Sequence, residues 1–328
     1  MRALRGILLL SSAVLAAGWT DSAVAQVVPF AQGNGSGSQQ QFANEVINES
    51  VNTTTLFASQ DIFSTGSFSK RSSDQPDTHY DTARTPFEVK LSDGKGRWQP
   101  FVYGSGALLK VTSGASKPPG AEGQDDFSTS HLFAVAGGLG SYLRVSDDFK
   151  LSVSCAVTFS HLRNTYDFNN SYSQRVLEPD SDLYYNWDLN LFTYSPTAKA
   201  IYESHWGESI ANLTVGYSEL FNDSVDSSSP AINIDSATGI FWSRASYTEP
   251  TGVDAIGAAT SLRPFFQWSN INGKAAKGLD LFNLYEVGAD VVFDFKEKFL
   301  LFSQMYWGGS YVTGDSFEGY HIGFGGKF

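Results

Sequence analysis

Apolar and polar residues alternate with a period of two along most of the chain from residue 86 to the C-terminus. The segment KLSVSCAVTFSH (150–161) is the clearest case, with Leu151, Val153, Val157 and Phe159 in one register and hydroxyl side chains in the other. Successive side chains of a β-strand point to opposite faces, so this pattern predicts strands with one apolar face. Several stretches alternate for about ten residues or more, which exceeds the usual 5–6 of soluble sheets and suits the about 9–11 residues that cross a bilayer.

About 12 strands can be assigned in this way, with a range of 10–14. They cover 86–91, 102–111, 131–145, 150–161, 183–194, 197–206, 208–220, 236–247, 261–268, 281–295, 298–307 and 320–328. Tight turns are predicted at 146–148, 195–197 and 294–298, and longer polar loops at 70–85, 112–128, 163–182, 221–235 and 270–280. Short turns at one rim and longer loops at the other are typical of outer-membrane barrels.

Composition supports a membrane barrel over a soluble secreted β-protein, the alternative for an alternating chain. Aromatic residues make up 14% of the sequence, glycine contributes 31 residues, and no long apolar run follows residue 25. Aromatic side chains recur near predicted strand ends, as in interfacial girdles: Trp98, Trp206, Trp268, Trp307 and Tyr311. Backbone polar groups in lipid must all be paired, so the sheet should close. The predicted fold is all-β, a transmembrane antiparallel β-barrel.

The N-terminal 25 residues read as a secretory signal peptide. Arg2 and Arg5 precede the short apolar stretch GILLLSSAVLAAG, and small residues precede a cleavage site between Ala25 and Gln26. Removal of residues 1–25 takes away two positive charges and one negative charge, which changes the formal net charge from −12 to −13. An acidic exported chain is a poor partner for nucleic acid, whose phosphates need Lys and Arg. A single cysteine, Cys155, excludes an intrachain disulfide.

Residues 26–60 differ in composition from the strands. The stretch AQGNGSGSQQQ (31–41) is a flexible polar linker, and Phe42, Val46 and Ile47 then recur at helical spacing. This weak apolar stripe predicts an amphipathic helix, and a flexible tether is an equally good interpretation. The predicted domains are the signal peptide at 1–25, the linker and pore-plugging helix at 26–60, and the barrel at 61–328.

The chain ends in the alternating stretch YHIGFGGKF (320–328). Tyr320, Ile322, Phe324 and Phe328 share one register, and the other register is small or polar. An aromatic residue at the C-terminus of an apolar register resembles the barrel-assembly signal of outer-membrane proteins. This last strand should pair with the first strand and close the barrel, because an open strand edge is a liability in any sheet.

The order of signal peptide, polar linker, helical stripe and barrel strands resembles the translocator barrel of autotransporters. The resemblance is carried by Tyr320, Ile322, Phe324 and Phe328 and covers roughly residues 40–328. It implies 12 strands around a lumenal helix, outer-membrane lipid as the surroundings, and barrel-assembly machinery with periplasmic chaperones as partners. Roughly 35 residues separate Ala25 from the first strands, so a solitary barrel without a passenger is expected, in a structural or transport role.

Charged residues in the polar registers are the candidate lumenal groups. They are Asp188, Lys199, Glu203, Arg244, Arg263, Glu286, Asp290, Asp294 and Lys327. Such groups can line a porin-like channel that weakly filters ions, or they can form salt bridges that hold a plugged lumen. Both interpretations are compatible with the sequence.

No catalytic, metal or cofactor site is expected. The five histidines are scattered without metal-ligand spacing. An outer-membrane lipase would need a Ser–His pair on the outer face, for which His161 is the candidate. An outer-membrane protease would need acidic and histidine residues in the outer loops, where His79 lies between Asp77 and Asp81. Both histidines have simpler explanations as a rim residue and a solvated loop residue.

Overall fold

Twelve antiparallel strands close into a single barrel in the structure, a computed structural model. The structure describes residues 65–70, 78–92, 96–117, 119–180, 182, 185–229, 232, 234–255, 257–273, 276, 281–299, 302–315 and 317–327. The strands are β1 Thr65–Lys70, β2 Thr78–Lys90, β3 Trp98–Ala115, β4 Asp126–Arg144, β5 Phe149–Asp167, β6 Trp187–Trp206, β7 Ser209–Ser227, β8 Asp235–Ala255, β9 Ala258–Gly273, β10 Asn283–Phe299, β11 Phe302–Gly314 and β12 Phe317–Lys327. Each strand pairs with its sequence neighbours, and β1 pairs with β12 to close the sheet. The predicted all-β antiparallel barrel of 12 strands is thus confirmed.

The strand count is correct although two predicted turns are wrong and one strand was not predicted. The turn predicted at 195–197 lies inside β6, and β1 falls in a part of the chain for which no strand was predicted. Pro196 explains the first error, because proline cannot donate a ladder hydrogen bond. The β5–β6 ladder runs through Pro196, whereas the pairing of β6 with β7 is interrupted between Tyr194 and Thr197. The turn predicted at 294–298 is also wrong, since β10 continues to Phe299.

A short helix, α1 (Ser171–Val176), lies in the connection between β5 and β6 and is followed by a 3-10 turn at Glu178–Asp180. The Asn170 Oδ1 atom accepts hydrogen bonds from the backbone N–H groups of Tyr172 and Ser173, at 3.1 and 2.9 Å. Within the described ranges, no helix is long and apolar enough to cross a membrane. The predicted signal peptide and the predicted helix within 26–60 lie outside the described residues.

The two ends of the barrel differ in the length of their connections. At one end, which we call the turn rim, the connections span 91–97, 145–148, 207–208, 256–257 and 300–301. At the other end, the loop rim, they span 71–77, 116–125, 168–186, 228–234, 274–282 and 315–316. Strands of up to 21 residues join the rims, about twice the length that a bilayer needs. A large part of the barrel therefore extends beyond the hydrocarbon.

The polarity of the two barrel faces reverses along the strands. Toward the loop rim, many inward side chains are apolar and almost fully buried, as at Leu162 and Leu189, and buried polar side chains such as Asn164 and Asn222 lie among them. Toward the turn rim, inward side chains such as Ser152 and Thr158 are polar, and apolar side chains such as Val153 are exposed on the outside. The half near the loop rim, here the loop half, resembles a soluble barrel, with an apolar core inside and a polar outer surface. The other half, the turn half, is built like a membrane barrel.

A ring of outward aromatic side chains marks the level of this reversal. Its members are Phe133, Phe159, Phe192, Phe221, Phe241, Trp268, Tyr285, Tyr311 and Tyr320, and the exposed ones are between 36% and 70% accessible. In several strands a buried aliphatic residue directly adjoins the ring residue: Leu132, Leu191, Leu220, Ile240, Leu284 and Val312. Amphipathic aromatic side chains prefer the membrane–water interface. The aromatic ring of the barrel therefore marks the edge of the lipid band that is nearer to the loop rim. On β5 the outward apolar residues run from Leu151 to Phe159, and nine residues tilted by about 40° span about 23 Å.

Candidate functional site

The turn half encloses a cavity of about 1000 Å³ that opens toward the turn rim. Its walls combine polar and charged side chains with aromatic side chains and glycines, and none of the residues of the apolar core of the loop half lines it. This core consists of Phe68, Tyr80, Ala107, Leu109, Val111, Leu132, Ala134, Leu162, Trp187, Leu189, Leu191, Leu220, Ile232, Ile234, Ile240, Ile271, Ala276, Leu281, Leu284, Val312 and Phe317. The cavity therefore ends where the core begins.

The most concentrated charge in the cavity is a carboxylate held between two arginines. The Arg263 Nη2 and Nε atoms donate to the Asp290 Oδ2 atom at 2.8 and 3.0 Å, and the Arg244 Nη2 atom lies 3.7 Å from the same oxygen. The Arg244 guanidinium carbon lies 3.6 Å from the centre of the Phe265 ring. The three charged residues lie on the neighbouring strands β8, β9 and β10. Backbone hydrogen bonds connect these strands two at a time, whereas the cluster connects all three.

A second polar cluster joins the last three strands on the lumenal side. The Ser310 hydroxyl donates to the Glu286 Oε1 atom at 2.6 Å, and the His321 Nδ1 atom lies 3.0 Å from the same oxygen. Ser310, His321 and Glu286 resemble a catalytic triad in composition only. In a triad the serine and the carboxylate bind opposite ring nitrogens of the histidine, whereas here both face Nδ1. The arrangement links the three strands β10, β11 and β12.

Small residues of the C-terminal strand make room for a neighbouring ring. Gly325 has its Cα beneath the Tyr306 ring, so that a Cβ atom at this position would overlap it. The Arg263 guanidinium carbon lies 4.9 Å from the centre of the same ring. The lumenal glycines of β12 thus accommodate Tyr306, which in turn covers the arginine of the first cluster.

Six of the nine predicted lumenal charges line the cavity. Arg244, Arg263, Asp290, Lys199, Glu203 and Asp294 line it, and Glu286 lies inward beside His321. The Lys199 Nζ atom lies 5.6 Å from the centre of the Trp242 ring, and the Asp294 carboxylate accepts a hydrogen bond from Gln304 at 2.5 Å. The side chain of Lys327 is outside the described side chains.

Asp188 is a correction to the predicted set. It lies on the outer register of β6, the register of the exposed Phe192 and Tyr194, and its carboxylate lies 3.8 Å from the Arg163 guanidinium. The prediction took Trp187 and Leu189 as the outer face, but both are buried inside the loop half. The error follows from the polarity reversal, because apolar residues mark the inner face in this part of the strand.

The C-terminal apolar register lies on the outside of the barrel. Tyr320, Ile322 and Phe324 are 70%, 58% and 45% exposed and border the aromatic ring and the lipid band below it. Phe328, the fourth residue of the predicted barrel-assembly signal, lies outside the described residues, as do Ala25 and Gln26 of the predicted cleavage site.

The two histidines considered for enzymatic roles have non-catalytic neighbours. The His161 Nδ1 atom lies 2.9 Å from the Asn190 side-chain oxygen, and its Nε2 atom lies 4.0 Å from the Asp188 carboxylate. The neighbouring Ser160 is buried on the opposite face. The His79 ring contacts the Ser69 hydroxyl at 2.8 Å, and Asp77 is outside the described residues.

Several lumenal residues were not predicted from the sequence. Arg84 falls within a predicted loop but lies inward on β2, where its guanidinium donates to the Ser105 hydroxyl at 3.3 Å. His321 was placed in the lumenal register without a partner. Its partner Glu286 lies 35 positions earlier in the chain, and only the strand register reveals the contact.

Comparisons with known proteins agree with this geometry. Residues 49–324 match the model of a family described as the solitary outer membrane autotransporter beta-barrel domain. The transport unit of the autotransporter AIDA-I from Escherichia coli has 11% identity and a TM-score of 0.52, with coverage of 87% of this chain and 99% of that chain. The beta domain of the Bordetella autotransporter BrkA has 10% identity and a TM-score of 0.49, with coverage of 80% and 97%. No curated protein matches the sequence significantly.

Proposed function

Because the chain belongs to the solitary outer membrane autotransporter β-barrel family, we propose that it is a structural outer-membrane barrel closed to solutes at the loop rim. In this proposal the cavity of the turn half holds the chain's own N-terminal segment, residues 26–60. The observation that carries the proposal is the apolar core inside the loop half. Autotransporter-type barrels lie in the bacterial outer membrane, which agrees with the outward apolar band of the turn half.

The apolar core argues against a porin-like channel. A solute path needs polar walls or a gap wider than a water molecule, and packed protein interiors offer neither. Leu189, Leu191 and Ile234 are completely buried within the barrel, and Phe68 stacks on Phe317 with ring centres 5.5 Å apart. Ions crossing this region would have to displace several such side chains at once, each of which gains about 1.5–3 kcal/mol from burial.

The position of β1 supports the proposed lumenal occupant. Thr65, the first residue of β1, lines the cavity, so β1 begins at the cavity wall. Two of the lumenal carboxylates pair with basic side chains, Asp290 with Arg244 and Arg263, and Glu286 with His321. Pairing of this kind suits a wall that packs against protein better than a wall that attracts one sign of ion.

The proposed route and orientation follow from the termini and the rims. We propose export through the general secretion pathway, with cleavage between Ala25 and Gln26, followed by handling by periplasmic chaperones. Barrel-assembly machinery would then read Tyr320, Ile322, Phe324 and Phe328. Short turns of such barrels face the periplasm and long loops face outward, so the cavity would open to the periplasm.

Planar-bilayer recording tests the closure. We expect no steady conductance from the mature chain, nor from a variant that lacks 26–60, because the core alone blocks the path. Replacing Leu189 and Leu191 with serine in the shortened chain should produce open events, and the same replacement at the lipid-facing Val153 and Val157 is the matched control. Steady conductance from the mature chain would favour the porin-like channel and refute the closed barrel.

Thiol labelling tests the lumenal occupant separately. In a Cys155→Ala background, a cysteine at Thr197 lines the cavity, and a cysteine at Ser146 in the 145–148 turn serves as the exposed control. We expect a charged maleimide to label position 197 slowly in the mature chain and at least tenfold faster without 26–60. Equal labelling rates at position 197 in both chains would show that the segment does not occupy the cavity.

A further inference from the structure

Basic side chains gather on one side of the barrel, just beyond the lipid band. Lys110, His131, His161 and Arg163, here the basic patch, all lie on the outer registers of β3, β4 and β5. Lys110 is two residues above Leu108, His131 is two above Phe133, and His161 is two above Phe159 of the aromatic ring. The patch thus sits at the level where lipid headgroups begin.

Elsewhere around the described barrel, the corresponding level is neutral or acidic. On β6 to β12, the outward residues two positions beyond the aromatic ring are Asn190, Asp223, Gly239, Asn270, Asn283, Thr313 and Glu318. The whole chain is acidic, with 34 Asp and Glu residues against 22 Lys and Arg residues. The four residues of the basic patch, on three adjacent strands, are therefore a local feature that the overall composition does not explain.

Three members of the patch are direct cross-strand neighbours. Lys110 pairs with His131, and His131 pairs with Arg163. Directly opposed residues have Cβ atoms about 4.5–5.5 Å apart, and like charges in such positions destabilise a sheet. Partial burial, with the Lys110 ammonium and the Arg163 guanidinium nearby, lowers the pKa of His131. The effect of the two cations on this pKa shows that the electrostatic potential at this place is positive. An external anion that binds here would reduce the repulsion among the basic side chains.

The apolar surface directly below the patch identifies the source of that anion. Phe133, Val135 and Phe159 are 48%, 50% and 48% exposed, and they face the lipid band. We propose that the basic patch binds the phosphorylated headgroup of an outer-leaflet lipid whose acyl chains lie on these three side chains. The ammonium and guanidinium groups contact the phosphate, and the patch holds the lipid as an annular ligand.

Two acidic residues flank the row and provide the competing explanation. Asp81 pairs with Lys110 at one end, and Asp188 pairs with Arg163 at the other, so the row could simply neutralise itself. The contacts are weak, however. The Arg163 Nε atom is 3.8 Å from the Asp188 carboxylate, and the Asp81 carboxylate instead accepts a hydrogen bond from the Ser67 hydroxyl at 2.7 Å. Neither acid saturates the donors of its basic neighbour.

Lipid retention tests the proposal. The mature chain is reconstituted in zwitterionic phospholipid with a minor fraction of a lipid whose disaccharide headgroup carries two phosphates, and the lipid that stays bound after mild detergent extraction is counted by native mass spectrometry. Each removed permanent charge should weaken retention about fivefold, so Lys110→Gln with Arg163→Gln should weaken it about 25-fold. Lys117→Gln with Arg175→Gln, in loop-rim connections, removes equal charge away from the patch and should change nothing.

Asp188→Asn separates the two explanations. It removes the negative charge beside Arg163 and should increase retention severalfold if the patch binds a lipid phosphate. Heat-modifiable gel migration verifies that every variant is folded. Retention that is unchanged in the Lys110/Arg163 double variant, equal retention of the dephosphorylated lipid, or full displacement by inorganic phosphate would each overturn the assignment. These readouts do not depend on the lumen, so they remain interpretable if the closed-barrel proposal fails.

Discussion

Substitution of Asp290 by alanine removes the acceptor that holds two arginines together in the lumen. The Asp290 side chain is only 6% exposed, and it accepts two hydrogen bonds from Arg263 while Arg244 lies 3.7 Å away. Breaking a buried ion pair from one side costs about 3–5 kcal/mol, because the remaining charge loses its partner. The two arginine side chains are 22% and 32% exposed to the cavity, and this water contact lowers the cost. We expect a loss of about 2–3 kcal/mol in the free energy of unfolding.

The measurement is reversible unfolding in guanidinium chloride from lipid vesicles, followed by tryptophan fluorescence. Asp294→Ala is the matched control on the same strand, since Asp294 is exposed and bonds to Gln304 alone among the described contacts. Its effect should stay below about 1 kcal/mol, as for an exposed polar contact.

A double-mutant cycle makes the reasoning refutable. Combining Asp290→Ala with Arg263→Met removes one of the two uncompensated charges, so the double variant should be more stable than the sum of the single effects by about 1–2 kcal/mol. If Asp290→Ala changes the free energy of unfolding by less than about 0.5 kcal/mol, or if the two substitutions are additive, the cluster is not a stabilising unit.

Two other substitutions and one deletion have defined outcomes. Gly325→Ala should destabilise the barrel by about 1–3 kcal/mol because its Cβ atom overlaps the Tyr306 ring, whereas Gly309→Ala, with its nearest atom at 3.6 Å, is the control; equal unfolding midpoints would contradict this. Burial and the neighbouring Asp126 carboxylate raise the pKa of Tyr166 near the loop rim, so its contribution to stability is fully present below about pH 10 and declines by up to about 1.4 kcal/mol per pH unit above it. Tyr166→Phe should flatten this decline in unfolding measurements at pH 9–12, and an unchanged slope would refute the assignment. Deletion of Phe328 should slow assembly into the outer membrane, measured by heat-modifiable migration in pulse-chase samples, while Phe328→Tyr assembles normally; normal assembly of the deleted chain would count against the proposed signal.

The sequence predicts the lipid-facing surface well where one face is uniformly apolar. On β5 the hydroxyl side chains identify the inner face, and the outer apolar face of 151–159 is where it was expected. On β6 the same reasoning failed for Asp188, because alternation defines two faces without saying which is inside. The adjacent pair Leu191 and Phe192 carries the missing signal. Two apolar residues in succession indicate that the apolar side chains change from the inner face of the strand to its outer face at this point.

The contacts of the lumenal clusters could not be predicted in the same way. Arg263 and Asp290 are direct cross-strand partners, so the hairpin register alone could have joined them. Glu286 and His321 lie on strands separated by β11, and they meet through the shear of the barrel, which no local pattern encodes. Arg84 was missed for another reason. The sequence of β2 is so polar that it resembles a loop, and only its pairing with β3 identifies it as a strand with Arg84 on the inner face.

The polarity reversal also fixes how deeply the barrel is immersed. Displacement by one residue pair toward the side of the turn rim would carry His131, Arg163 and Asp188 toward the hydrocarbon, which disfavours ionised groups increasingly with depth. Movement outward would expose Phe133, Phe159 and their counterparts to water, at about 1.5–3 kcal/mol for each side chain fully uncovered. Both displacements raise the free energy on many strands together, so the barrel has a single preferred height. On β5 the eight residues beyond Phe159 then hold the loop rim about 20 Å above the lipid band, beyond the reach of most surface charges of the bilayer at physiological salt.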